Sequence, residues 1–333
     1  MIRQRGGMAT VKTPASERFA TGNRARAGNV KFSLAPRPPF QLGLAVWTLR
    51  RRAENGVDRW DGTTYRRVLP LGGASVEVAV TQTTPPESPQ LRVTVTGAGA
   101  GSAVKAAISP ILERMLGLRA DLSDFYESAS QDARLALLAE RFRGMRPPRF
   151  PTVFEALING IACQQMSLTL GIRLLSRLAE AHGLAWREGE TPGHAFPRPE
   201  DLAGLQPQAL RPLGFSHQKS RAMIEAAQVV CDGQLDLESL VDVPDEEAVG
   251  RLEQLRGVGR WTAEYVLLRG LGRWHIFPGD DVGARNNLMR WLKLRKPLDY
   301  QRVRRVMAPW RSYGGLIYFH LLLDRLAAAR VLP

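Results

Sequence analysis

Residues 252–292 read LEQLRGVGRWTAEYVLLRGLGRWHIFPGDDVGARNNLMRWL. Two runs with apolar residues at helical spacing flank Gly257-Val258-Gly259, and the pair Asp280-Asp281 stands just before a third. Glycine takes positive φ without steric cost, so Gly-Val-Gly predicts a tight turn between two helices, at about 252–270. The turn also leaves bare backbone N–H groups at the mouth of a helix starting near Trp261. There the positive end of the helix dipole suits an anion, and for a basic chain the obvious anion is a phosphate. Taken alone, these glycines are as well explained by a helical hairpin that only packs. The ordered string is more specific than its parts: hairpin, Trp261-Thr262-Ala263, an apolar helix, then Phe277-Pro278-Gly279-Asp280-Asp281.

The whole chain of 333 residues has room for two or three domains and a buried core. Hydrophobic residues make up 44%, which places it among globular proteins, and no apolar run is long enough to span a bilayer, so no membrane partner is expected. The formal net charge of +14 favours a polyanionic partner, although charge alone is a weak signal. Cys163 and Cys231 are the only cysteines, too few for a disulfide framework or for a four-cysteine iron–sulfur cluster. The five histidines are scattered, so nothing points to a transition metal, and His275 is a weak candidate for the site.

Taken in order, residues 1–28 are small, polar and dotted with arginine, and read as a disordered basic arm, or in part as an over-long start with Met8 as the initiator. Residues 29–118 carry an alternating VKFSLA, a helix opened by Pro38-Pro39 with Trp47 on it, and three Val-, Thr- and Tyr-rich runs separated by Gly72-Gly73 and Pro85-Pro86. This predicts a small α+β domain with an antiparallel sheet. Residues 119–333 are nearly all helical by period. Within them, an apolar stripe on Phe154, Leu157, Ile158 and Ile161 is broken by Gln164-Gln165, an amide pair that an interior helix does not need.

The order of these motifs resembles the helix-hairpin-helix/Gly-Pro-Asp superfamily of base-excision DNA glycosylases, in particular its AlkA-like 3-methyladenine glycosylases, and the resemblance runs over nearly all of the chain after about residue 30. It implies an α+β fold with a helical glycosylase module at 119–333. It also implies monofunctional hydrolysis of the N-glycosidic bond of alkylated purines, flipped out of damaged double-stranded DNA by a monomer that leaves an abasic site. Such an enzyme works in the bacterial cytoplasm or the eukaryotic nucleus. Two rivals remain open, an 8-oxoguanine-type glycosylase of the same fold and a non-catalytic helix-hairpin-helix DNA-binding protein.

Breaking a C1′–N bond passes through an oxocarbenium-like sugar, which needs a positioned carboxylate. Asp280 and Asp281 both stand at the start of a helix, where an aspartate is most often a plain N-cap. Spacing does not choose between them; Asp280 can be the cap and Asp281 the catalyst, and the resemblance selects Asp281. Family members that also nick the strand carry a lysine two residues past the second glycine, and here that residue is Trp261. The resemblance makes Trp261, Tyr265, Trp310 and Trp47 an aromatic pocket for an electron-poor alkylated base. For each ring, plain core packing is the competing explanation. It makes Gln165 the wedge that fills the gap left by the flipped base, where the family pattern has leucine. Gly257, Val258 and Gly259 become the backbone anchor, beside a monovalent cation (Na⁺ or K⁺) held by the carbonyls of Glu253, Leu255 and Val258. No cofactor is expected for catalysis. Where the pattern has an aromatic residue and then leucine, this chain has Val282 and Gly283, which predicts a roomier or differently sealed pocket.

Overall fold

Alternation of buried and exposed side chains along the Val- and Thr-rich runs folds them into one antiparallel sheet. Its strands are β1 (Gly28–Leu34), β2 (Arg59–Trp60), β3 (Thr64–Leu71), β4 (Ala74–Gln82) and β5 (Leu91–Ala98), in the spatial order β1-β5-β4-β3-β2. The chain is described by a computed structural model over residues 28–98, 101–188 and 192–332. The arm expected at 1–28 therefore lies outside the described residues except for Gly28, which opens β1. Gly72 and Gly73, with φ of 56° and 82°, make the β3–β4 turn that only glycine enters freely. The period of two puts Val76, Val78 and Val80 of β4 on one buried face with Leu91, Val93 and Val95 of β5. That face packs on α1 (Leu42–Arg50) and α2 (Gly101–Leu116).

Helix α1 starts at Leu42, not at the Pro38-Pro39 pair, and ends at Arg51, which adopts a left-handed φ of 62°. The reversal throws the Arg51 side chain away from the sheet and into the helical part of the molecule. That part comprises α3 (Ser123–Ser130), α4 (Ala133–Arg141), α5 (Val153–Cys163), α6 (Leu168–His182), the two-stranded β6 (Ala185–Trp186) and β7 (Gly193–His194), α7 (Pro199–Ala203), α8 (Pro207–Leu210), α9 (His217–Cys231), α10 (Asp245–Glu253), α11 (Arg260–Val266), α12 (Val282–Trp291), α13 (Tyr300–Met307) and α14 (Gly314–Ala328). Helix α11 runs on as a π-helical turn through Leu271. Two apolar clusters fill this part. One joins α5, α6, α9 and α11; the other joins α3, α4, α12, α13 and α14, and takes in Trp47 from α1. Among the described residues no helix is long and apolar enough to cross a membrane.

Charged groups are built into the seam between the sheet and the helices. Arg67 of β3 is buried and donates to Asp58 at 2.6 Å and to Glu155 of α5 at 2.6 Å, while Tyr65 donates to the same Asp58 at 2.7 Å. Arg269, buried in the π-turn, donates to the carbonyl of Thr48 at 2.9 Å in α1. Removing one partner from such a set strands a buried charge, so the seam resists sliding and fixes α1 against α5 and α11. The cleft described next opens along that seam.

Candidate active site

The first wall of the cleft is the hairpin. Helices α10 and α11 are joined by residues 254–259, in which Gly257 has φ of 74° and packs on α9, where an added Cβ would stand 3.1 Å from that of Ala222. Gly259 differs from the expectation of two left-handed glycines. Its φ is −117°, ordinary extended backbone, and an added Cβ would meet nothing within 4 Å. Open space above Gly259 is what a backbone reached from outside needs, and no side chain caps the first turn of α11. Gln164, the C-cap of α5, ties the hairpin in place through Nε2, which donates to Gly257 O at 2.7 Å and to Thr262 Oγ1 at 2.8 Å. Gly160 lets α5 and α11 approach closely, since a Cβ there would stand 2.9 Å from Thr262 Cγ2.

The opposite wall is the loop leading into α12. Asp281 is the N-cap of that helix, accepting from Ala284 N at 2.7 Å through Oδ1 and from the Trp261 indole N–H at 3.2 Å through Oδ2. The division of labour between the two acids is therefore not cap and catalyst. Both carboxylates line the cleft, but Asp281 is the cap, whereas Asp280 accepts from Arg260 at 2.6 Å and pairs with Arg285. Glu264, buried on α11, fastens the loop from below: it accepts from Gly279 N at 3.1 Å and from the Tyr300 hydroxyl at 2.7 Å. Burial raises its carboxyl above the ordinary range, and these two donors act against that. The Tyr300 ring in turn lies under the Arg260 guanidinium, 3.8 Å away, and fills the space a Cβ on Gly279 would need. The sequence reading passed over both Glu264 and Tyr300; a glutamate inside the apolar run of α11 was the signal for the first, and Tyr300 had none.

Between these walls lies a cleft of about 1280 Å³. Trp261 and Tyr265 stand on it one helical turn apart, with ring centroids 5.7 Å apart and planes inclined by 31°. Tyr318 of α14, which sequence reasoning missed, also lines it; burial first and the Asp281 charge second push its phenol up. Burial also raises the Tyr265 phenol and the Cys163 thiol. Trp47 and Trp310 are not brought to the cleft. Trp47 is 7% exposed and packs in the helical core beneath the Arg50 guanidinium, and Trp310 pairs with Trp291 at 5.1 Å. The resemblance placed both in the pocket; here Trp47 belongs to the helical core, and Trp310 packs against it half-buried. Gln165 is exposed on the rim with φ of 51°, a left-handed conformation unusual for a side-chain-bearing residue. Val282, also on the rim, is 67% exposed.

Five arginines line the cleft (Arg51, Arg52, Arg260, Arg290 and Arg325) against the two carboxylates Asp280 and Asp281. The cleft thus sets these positive groups beside one acid, Asp281, that has no ion-pair partner among the described residues. No lysine lines the cleft among the described residues, and the Lys219 ammonium on α9 is engaged by Ala162 O at 2.9 Å and Gln164 O at 2.6 Å. Among the described residues no group of three or more His, Cys, Asp or Glu side chains could hold a metal ion, and His275 is away from the cleft, paired with Asp245.

Comparison with known proteins matches the two halves of this architecture separately. Residues 31–151 match the family described as the AlkA N-terminal domain, and residues 158–312 match the HhH-GPD superfamily of base excision DNA repair proteins. The chain is similar to the DNA-3-methyladenine glycosylase of Bacillus subtilis, 31% identical over 60% of this chain and 66% of that protein. It is similar to DNA-3-methyladenine glycosylase 2 of Escherichia coli, 27% identical over 86% of this chain and 95% of that protein. Among solved structures, a 3-methyladenine DNA-glycosylase from Archaeoglobus fulgidus superposes with a TM-score of 0.78 at 24% identity, covering 89% of this chain and 99% of that one, a likeness of fold. With the hairpin, the acid after it and the sheet ahead of both now accounted for, the chain belongs to the HhH-GPD superfamily of base excision DNA repair proteins, in the form that carries an AlkA N-terminal domain.

Proposed function

We propose that the protein is a monofunctional DNA glycosylase that hydrolyses the N-glycosidic bond of alkylated purines of the 3-methyladenine type. The observation that carries this reading is the Asp281 carboxylate, held by two hydrogen bonds at the edge of an aromatic cleft and surrounded by arginines. A negative charge placed where phosphates gather is of no use to a simple clamp, and is what an oxocarbenium-like sugar requires. The duplex would be held by the exposed backbone at Gly257, Val258 and Gly259 and by Arg52, Arg290 and Arg325 on the rim, with one copy of the chain acting on one site. The target base would be flipped between Trp261 and Tyr318 while Gln165 fills the stack. With Trp261 in the place of a Schiff-base lysine and no lysine on the cleft, cleavage would stop at the abasic site.

The hairpin carbonyls of Glu253, Leu255 and Val258 are proposed to hold a monovalent cation. Neutral oxygens suit such an ion, and among the described residues no backbone N–H from outside the helices donates to Glu253 O or Val258 O, whereas Leu255 O accepts from Val258 N at 3.1 Å. The ion would add a positive charge beside the backbone phosphate and takes no part in bond cleavage. The deciding experiment is base release from duplexes carrying single lesions, each analysed with and without alkali. Release of 3-methyladenine or 7-methylguanine, with strand breaks only after alkali, is the expected result. Breaks without alkali, or release of 8-oxoguanine alone, would overturn it.

A further inference from the structure

Residues 290–311 hold eight lysines and arginines against one acid, Asp299, an excess of seven positive charges and half of the chain's formal +14. Asp299 is the N-cap of α13, accepting from Arg302 N at 2.7 Å. None of the eight cations forms an ion pair among the described residues, and the pairs of the neighbouring Asp280 go to Arg260 and Arg285. Lys293, Arg295, Lys296, Arg304, Arg305 and Arg311 are exposed, while Val303 and Met307 turn the other face of α13 into the core. A helix face that only meets water gains from acids placed three or four residues from its basic ones, and α13 carries none. Like charges gathered this closely repel one another until counterions or a polyanion neutralise them.

The patch continues the cleft. Asp281, Val282, Asn286, Asn287 and Arg290 all line it, so one side of α12 runs along its edge, and Lys293 follows two residues beyond the end of that helix. From the hairpin, Arg260 at the start of α11 lays its guanidinium 3.8 Å from the ring centre of Tyr300, and Arg304 stands one turn further along α13. We propose that this patch is a second backbone-binding surface, which grips phosphates of undamaged double-stranded DNA on one arm of the duplex only. The ten residues of α12 rise about 15 Å, which sets the contact about four to five base-pair steps from the flipped nucleotide. The inference rests on the glycosylase reading above and adds to it a one-sided footprint.

The test reads binding. The probe is a duplex bearing one tetrahydrofuran abasic-site analogue, and the salt dependence of Kd is measured for the wild type, Arg295→Gln/Lys296→Gln and Arg304→Gln/Arg305→Gln. Each lost phosphate contact is expected to flatten the slope of log K against log salt by about 0.9, and each double variant to bind about tenfold more weakly at about 0.1 M salt. Shortening the duplex to about three base pairs on one side of the analogue should cost the wild type what the substitutions cost, and the variants nothing more. Shortening the other side should cost all three proteins alike. Arg92→Gln/Arg134→Gln, which removes the same charge from exposed positions on β5 and α4, is the control and should keep the wild-type slope. Wild-type affinity and slope in both double variants would overturn the proposal, as would an equal loss in the control, which would trace the effect to net charge. Binding is read without base release, so a wild type that binds the duplex yet releases no base counts against the glycosylase reading and not against this surface.

Discussion

Trp261 and Asp281 stand 20 residues apart in the chain and are joined by a 3.2 Å hydrogen bond from the indole N–H to Oδ2. Because Oδ1 is held by Ala284 N at 2.7 Å, the carboxylate cannot rotate away from the cleft without losing both donors. The indole therefore does two things, presenting a face to the cleft and aiming the acid. Trp261→Phe separates them, keeping a ring and removing the donor. A hydrogen bond to a charged group contributes about 1.5–3 kcal/mol, so the expected loss in single-turnover rate is tenfold to a hundredfold, with affinity for lesion DNA little changed. Equal falls in rate and affinity would mean that the ring and not its N–H matters.

Asp281→Asn tests the acid itself. Asparagine caps a helix about as well as aspartate, so thermal stability should hold while excision falls by roughly a thousandfold or more. Lesion-DNA affinity is expected to stay level or rise, because a negative charge near phosphates is gone. Activity within about tenfold of wild type would sink the assignment. Asp280→Asn loses the partly exposed pairs with Arg260 and Arg285, which contribute up to about 1 kcal/mol each, and should cost much less activity.

Glu264 holds the loop that carries both acids. Glu264→Ala strands the Gly279 N–H and the Tyr300 hydroxyl in a buried place, at about 1–3 kcal/mol, whereas Tyr300→Phe removes only one of the two contacts. The graded expectation is a clear drop in melting temperature and in excision rate for Glu264→Ala, and a smaller one for Tyr300→Phe. Duplex affinity, which the proposed contact at Gly257, Val258 and Gly259 would carry, should barely move. A Glu264→Ala protein with wild-type kinetics would show that the loop needs no tether.

The fold was legible where local chemistry repeats. Valine alternation and Gly72-Gly73 announced the sheet, and helical spacing with Gly257-Val258-Gly259 announced the hairpin. Asp281, Trp261 and Tyr265 were named through the family resemblance of the ordered motifs that carry them, not from spacing alone. What could not be read depends on where one turn aims a side chain. Arg51 reaches the cleft through a single left-handed residue, while Trp47, four residues earlier on the same helix, is turned into the core. Tyr318 comes from α14, remote in sequence, so no spacing rule connects it to the hairpin. Which aspartate caps α12 differs by one residue, below the resolution of any propensity.

His320 gives a pH dependence that has nothing to do with catalysis. It is 0% exposed between Phe125 and Phe142, and its Nδ1 sits 2.8 Å from Leu316 O, an acceptor only, so Nδ1 carries the proton. Burial drives its pKa down to about 4, below the ordinary 6.5. The unfolded chain therefore binds a proton that the folded one refuses between these values, and stability falls as the pH drops from about 6.5 to 4. The full shift corresponds to roughly 3 kcal/mol. Urea midpoints measured from pH 7 to pH 4.5 should decline in the wild type, and the decline should be shallower in His320→Phe. Parallel profiles for the two proteins would show that other groups set the slope.

Gln165 is the wedge candidate, and its backbone changes how it must be tested. Extruding a base costs a few kcal/mol of unstacking, which a side chain filling the vacated space helps to offset. Gln165 is exposed on the cleft rim and held at φ of 51°, a conformation that asparagine or glycine accepts easily and alanine does not. Gln165→Ala alone would mix the loss of the amide with about 1 kcal/mol or more of backbone strain. Gln165→Gly removes the side chain and relaxes the backbone, so a wedge defect should appear in both variants, and a strain defect in Gln165→Ala only. On a paired lesion, excision by Gln165→Gly is expected to fall at least tenfold; on a mismatched lesion, where the base is already loosely held, it should fall far less. Gln165→Leu should recover much of the rate on paired duplex, since volume is the main requirement. If Gln165→Gly loses the same factor on paired and mismatched substrates, the side chain is not filling a gap in the stack, and the wedge must be sought among its neighbours on the rim, Met166 first.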